Sequence, residues 1–115
     1  MRLWRWGNDF YDTGYRIFTL VFSKRLGIDL YLFHYKQNSY IPKHKDPGHS
    51  GAMYRLNIEL VKAKRGGQFH CKKLLWTWHD RIYFFRADNS YHYVTRIEEG
   101  SRWVLSFGKV IRNNE

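Results

Sequence analysis

The chain has 115 residues, 43% hydrophobic and 19% aromatic, and carries 20 Lys and Arg against 10 Asp and Glu, a net charge of +10. That length suggests one domain with one core, and the apolar content excludes a disordered tail. A field this positive attracts phosphates, anionic membranes or acidic substrates, but it specifies no fold.

Nine Tyr, eight Phe and five Trp with only two Pro favour strands over helices. In chain order, a short helix fits within residues 7–14. "YRIFTLVF" (15–22) and "IDLYLFHY" (28–35) read as strands, with a turn at 25–27. "SYIPKHKD" (39–46) is a third, where Pro42 marks an edge or a strand start. "MYRLNIELV" (53–61) alternates: Tyr54, Leu56, Ile58 and Leu60 fall on one face, Arg55, Asn57 and Glu59 on the other. After Gly66–Gly67 come "QFHCKK" (68–73), "LLWTW" (74–78), "RIYFF" (81–85), "YHYVTRI" (91–97) and "RWVLSFGKVI" (102–111). No segment holds a 3.6-residue period over three turns. Short strands at 8 to 12 residue spacing indicate a sandwich, barrel or jelly roll. The best apolar run, "IFTLVF", is too short to span a membrane, and the N-terminus has no continuous apolar region of a signal peptide. A single cysteine, Cys71, excludes an internal disulfide and fits a reducing compartment. The expectation is a soluble, cytoplasmic protein.

The stretch "IPKHKDPGHSG" (41–51) places His44 and Asp46 two apart, on one side of a strand end, before Pro47 and Gly48 turn the chain. Such a pair is a salt bridge or two-thirds of a metal site. His92, in "SYHYVTRIEEGSRWVLSFG", is the best third ligand, and His49 lies near enough to compete. On the last strand Arg102, Val104 and Ser106 share a face, an odd core face and a good pocket for a carboxylate. Two histidines and a carboxylate form the facial ligand set of non-haem Fe(II) oxygenases, and zinc accepts the same donors. The arginine tips the choice toward iron. No nearby residue obviously supplies its carboxylate, and a buried unpaired guanidinium costs several kcal/mol, about the price of a broken buried ion pair.

These motifs resemble the Fe(II)/2-oxoglutarate-dependent dioxygenase family. The series is His44-Lys45-Asp46, Tyr54-Arg55-Leu56-Asn57, Gly66-Gly67, "RIYFF", His92-Tyr93-Val94 and Gly100-Ser101-Arg102, with the prolyl-hydroxylase-like branch nearest. The resemblance covers about residues 29–110 of a single domain, 1–115. It implies an all-β double-stranded β-helix (jelly roll) with little or no helical buttress. It implies Fe(II) held by His44, Asp46 and His92, and 2-oxoglutarate held through Arg102, with Tyr54 assisting. Ser106 is added from strand periodicity. The implied activity consumes 2-oxoglutarate and dioxygen and hydroxylates or demethylates a substrate, a protein side chain or a nucleic acid. The retained Asp46 argues against halogenation.

Each motif also has an ordinary explanation. His44 and Asp46 can be a surface pair, His92 a half-buried histidine bonded to a carbonyl, and Arg102 a partner of Glu98 or Glu99. Trp76, Trp78 and Trp103 read as core, and Cys71 as a small buried residue. Two other functions stay open: a non-catalytic jelly roll that binds nucleic acid through its charge, and a cupin-like metalloprotein that uses no 2-oxoglutarate. The "VKAKRGGQFHCKK" run adds a geometric expectation. One strand traverse places Lys62, Lys64 and Arg65 at the end away from the metal, while Lys72 and Lys73 return toward Lys43 and Lys45.

Overall fold

The computed structural model describes residues 6–8, 14–45 and 51–112. Among them every regular element is a strand: β1 (Trp6–Asn8), β2 (Tyr15–Ser23), β3 (Ile28–Tyr35), β4 (Ile41–His44), β5 (Gly51–Val61), β6 (Arg65–Gly66), β7 (Phe69–Cys71), β8 (Leu74–Trp78), β9 (Ile82–Arg86), β10 (His92–Val94), β11 (Ile97–Glu99) and β12 (Arg102–Arg112). Where a helix was expected, residues 6–8 instead pair antiparallel with β2; residues 9–13 lie outside the described residues. The strand expected over 91–97 breaks into β10 and β11.

The strands form a seven-stranded sheet, β1-β2-β3-β12-β5-β9-β8, a three-stranded sheet, β4-β10-β7, and the small pair β11-β6, all antiparallel. From β3 through β4 to β5 the chain leaves the large sheet for the three-stranded one and returns, and from β9 it does so again through β10, with β11 in the small pair before β12. A core forms where they face each other. Tyr15, Tyr35 and Val104 of the large sheet meet Ile41 and Val94 of the small one, with Ile97 beneath. A second cluster joins Tyr83, Phe85 and Ala87 to Phe69 and Cys71. Phe69 packs against both clusters.

Strand parity then assigns the faces. Paired antiparallel residues share a face, so Phe85 and Tyr83, both buried, carry Arg55 and Asn57 inward. The interior of β5 is therefore its polar side, and Tyr54, Leu56, Ile58 and Leu60 point outward. The burial is made tolerable by partners. Arg55 grips both oxygens of Asp29 (2.9 and 3.0 Å) and donates to the Ser106 hydroxyl (2.7 Å), which donates on to Asn57 Oδ1 (2.5 Å). Gly108 lies directly under this pair, where a Cβ would collide with both Arg55 and Asp29. At the opposite end, Gly66 and Gly67 both take positive φ, and side chains there would run into the Arg96 carbonyl and Ile97. The Gly-Gly pair is thus demanded by backbone conformation and by packing.

The outer face of the large sheet is apolar, and the expectation that Trp76 and Trp78 are core fails. They are 50% and 51% exposed, on an edge strand that receives neighbours on one side only. Trp103 is half-buried on the same outer face, its ring tilted against His34 with centroids 4.3 Å apart. Cys71 is partly, not fully, buried and accepts or donates at 3.2 Å to the Ser90 hydroxyl.

One polar contact ties the end of β9 to the start of β5. Asp88 accepts from the Met53 amide (3.1 Å) and from Arg86 Nε and Nη2 (2.9 and 3.0 Å). The Arg86 hydrogen bonds hold its carboxyl below the usual range, with the Met53 amide assisting against desolvation. A lowered native pKa gives stabilisation that is complete above the ordinary carboxylate pKa and is lost as pH falls through the native one. Arg86 is 38% exposed, which weakens the pair. Asp88→Asn is expected to cost about 1 kcal/mol at neutral pH, and urea titrations of the two proteins should begin to converge as pH falls below about 4 and meet only below the lowered native pKa. A gap that persists in acid would assign the effect to packing instead.

Candidate metal and carboxylate site

β10 runs between β4 and β7, and its register sets His92 opposite His44 on one side and Cys71 on the other. The two imidazoles lie side by side, ring centroids 4.3 Å apart at 57°. His92 is 7% exposed, walled by Phe85 (5.0 Å) and Phe69 (6.1 Å). Each ring has the same support. His44 Nδ1 lies 2.8 Å from the Pro42 carbonyl and His92 Nδ1 lies 2.9 Å from the Ser90 carbonyl, two residues back in both cases. A carbonyl only accepts, so Nδ1 carries a proton, and in the neutral ring the lone pair is then on Nε2. That is how metal-binding histidines are commonly oriented. Asp46 and His49 lie outside the described residues. Among the described residues no three His, Cys, Asp or Glu side chains form a metal-sized group.

Arg102 occupies the inner face as expected and is 1% exposed. The premise that no carboxylate stands nearby is corrected. Arg102 Nε donates to Glu59 Oε2, and Glu59 is itself 5% exposed. Glu98 and Glu99, the partners weighed from sequence, are engaged with Arg65 and Lys64. The guanidinium also lies over the Tyr35 ring at 4.9 Å. Burial pushes the Tyr35 phenol above its ordinary pKa, against the pull of Arg102. One guanidinium atom, Nη1, is buried with no hydrogen-bond partner.

Ser106 shares the inner face with Arg102, but its hydroxyl is taken up between Arg55 and Asn57. Tyr54 is on the opposite face, stacked on Phe84 (5.8 Å, 14°). Strand parity separates it from Arg102 and Ser106, so the expected role of Tyr54 beside the arginine does not fit this register. A cleft of about 510 Å³ opens beside Glu59, walled by Phe69, Tyr83, Ala63 and the Gly66–Gly67 turn. Phe69 therefore stands between that cleft and the histidine pair.

Glu59, Arg55 and Asp29 escaped the sequence reading. The one signal of Arg55 and Glu59 was the polar half of an alternating strand, ordinarily the solvent side, and Asp29 was a lone acid in an apolar run. The lysines distribute as the strand arithmetic predicts. Lys62 pairs with Glu59 (3.1 Å), Lys64 with Glu99 (3.3 Å) and Arg65 with Glu98 (3.1 Å), at the Gly-Gly end. Lys72 and Lys73 return to Tyr91 and Ser90, beside the histidines. No helix among the described residues is long and apolar enough to cross a membrane. No protein-family model matches this chain, and no curated protein does either.

Proposed function

We propose that the protein is an Fe(II)- and 2-oxoglutarate-dependent oxygenase of the hydroxylating or demethylating type, built on a double-stranded β-helix. The observation that carries the reading is the His44–His92 pair, two adjacent imidazoles with both protons held on Nδ1. The alternation of strands between sheets supports the fold, and the position of Asp46, two residues after His44, supports a third donor. Arg102, with one buried nitrogen unpartnered, supports a carboxylate ligand in the interior.

In this reading His44, His92 and Asp46 hold the metal. When bound, iron with 2-oxoglutarate and dioxygen supplies the oxidising power. The chain's own part is positional. The Pro42 and Ser90 carbonyls orient the imidazoles, Phe69 and Phe85 exclude water from His92, and Glu59 fixes the plane of the Arg102 guanidinium. The Glu59–Arg102 pair also favours a second reading, a cupin-like metal centre that uses no 2-oxoglutarate. Visible absorbance of the anaerobic Fe(II) protein separates the two. A weak charge-transfer band is expected on adding 2-oxoglutarate. Metal binding with no such band would favour the second reading, and no metal binding would end both.

A further inference from the structure

We infer that the surface around Tyr91, next to the histidine pair, binds single-stranded nucleic acid. As a statement of substrate class this rests on the oxygenase reading; as a statement of binding it stands alone. Tyr91 immediately precedes His92 and is 43% exposed. Lys43 and Lys45, which bracket His44, bring their ammonium groups to 5.4 and 4.7 Å from its ring centroid. From the other flank, the Lys72 amide donates to the Tyr91 carbonyl (2.9 Å) and the Lys73 amide to the Ser90 hydroxyl (3.0 Å). Two exposed lysines thus lie over one exposed aromatic ring, and the backbone anchors two more exposed lysines beside it.

Their electrostatic state differs from that of six other described cations. Lys62, Lys64, Arg65, Arg55, Arg86 and Arg102 each have a carboxylate. Lys43, Lys45, Lys72 and Lys73 have none among the described residues. Lys43 and Lys45, held over one ring, repel one another, and a bound polyanion relieves that repulsion. An exposed ring between cations offers a base its face and the flanking phosphates their counter-charges. An acidic peptide would use the lysines but not the ring. A membrane would call for apolar insertion, and the apolar face belongs to the other sheet. The strand is single, because the exposed Tyr91 ring can stack on an unpaired base whose face is open, not on a base already stacked in a duplex.

The test is fluorescence anisotropy of a labelled oligothymidylate of about 12 nucleotides, a length near one binding site, on metal-free protein. Four phosphate contacts predict a log–log salt slope of about −2.8, so raising salt from about 50 to 200 mM should weaken binding roughly 50-fold. Lys72→Glu/Lys73→Glu should abolish most binding, whereas Lys62→Glu/Lys64→Glu should change it little. Tyr91→Ala should weaken it about 5- to 100-fold at constant charge, and a duplex of equal length should compete poorly. Equal losses from both lysine pairs, an inert Tyr91→Ala, equal binding of the duplex, or binding only to polyglutamate or to anionic vesicles would each overturn the inference. Oligonucleotide binding without a charge-transfer band would defeat the oxygenase reading and leave this one standing. The band without oligonucleotide binding would do the reverse.

Discussion

Replacing Glu59 with alanine is expected to destabilise the protein by about 3–5 kcal/mol, the cost of removing one partner from a buried ion pair. Among the described residues Arg102 has only Glu59 as its carboxylate, is 1% exposed and already carries one unpartnered nitrogen. The variant would leave a guanidinium with neither charge partner nor water. The double variant Glu59→Ala/Arg102→Met should recover most of the loss, since an apolar side chain of similar length leaves nothing unpaired. Urea unfolding of the wild type, both single variants and the double variant forms the cycle. A cost below about 1 kcal/mol for Glu59→Ala would mean that water reaches the arginine, as at an exposed pair. The same protein reports on function. If 2-oxoglutarate takes a carboxylate position on Arg102, it should stabilise Glu59→Ala more than it stabilises the wild type. Arg102→Ala should weaken 2-oxoglutarate binding by roughly 10- to 100-fold, the loss of one charge-assisted pair.

The second large effect concerns the histidines. His92→Ala is expected to weaken metal binding by at least about 100-fold, because even outer-shell partners of ligating histidines contribute 10- to 100-fold. The loss should appear in a calorimetric titration with Co(II) or Ni(II), which take imidazole and carboxylate donors as Fe(II) does and resist oxidation. His79→Ala is the control: His79 is exposed in the β8–β9 turn and lies edge-on to Trp78. Equal titrations of wild type and His92→Ala would reduce His92 to a buried histidine bonded to the Ser90 carbonyl. The metal centre would then be lost from the proposal.

Much of the architecture was legible because strands announce themselves. The runs at 15–22, 28–35, 53–61, 74–78, 81–85 and 102–111 became β2, β3, β5, β8, β9 and β12 within about two residues at each end, since β-branched and aromatic content and alternation are local properties. The N-terminal stretch misled because three residues do not show a period, and its strand exists only through pairing with β2. The Trp-rich β8 misled for a related reason. Its sequence suits a buried strand, but its place at the sheet edge was a matter of topology.

The sequence alone determined the all-β class, the excess of positive charge, the approach of His92 to His44 through motif order, and the return of Lys72 and Lys73 to the same end. The charge is composition, the all-β class follows from local propensity, the lysine return follows from strand length multiplied by rise per residue, and the histidine approach was implied by the family resemblance. The tertiary structure alone decided which face of β5 turned inward. Alternation defines two faces and is silent on their destination, and here the polar face went in because Asp29, Ser106 and Arg102 arrive from β3 and β12 to satisfy it. That choice moved Tyr54 outside, gave Arg102 a resident carboxylate in Glu59, and left Nη1 unpartnered. A hydrogen bond between residues 43 positions apart has no local signature; it exists only when two strands are brought into register.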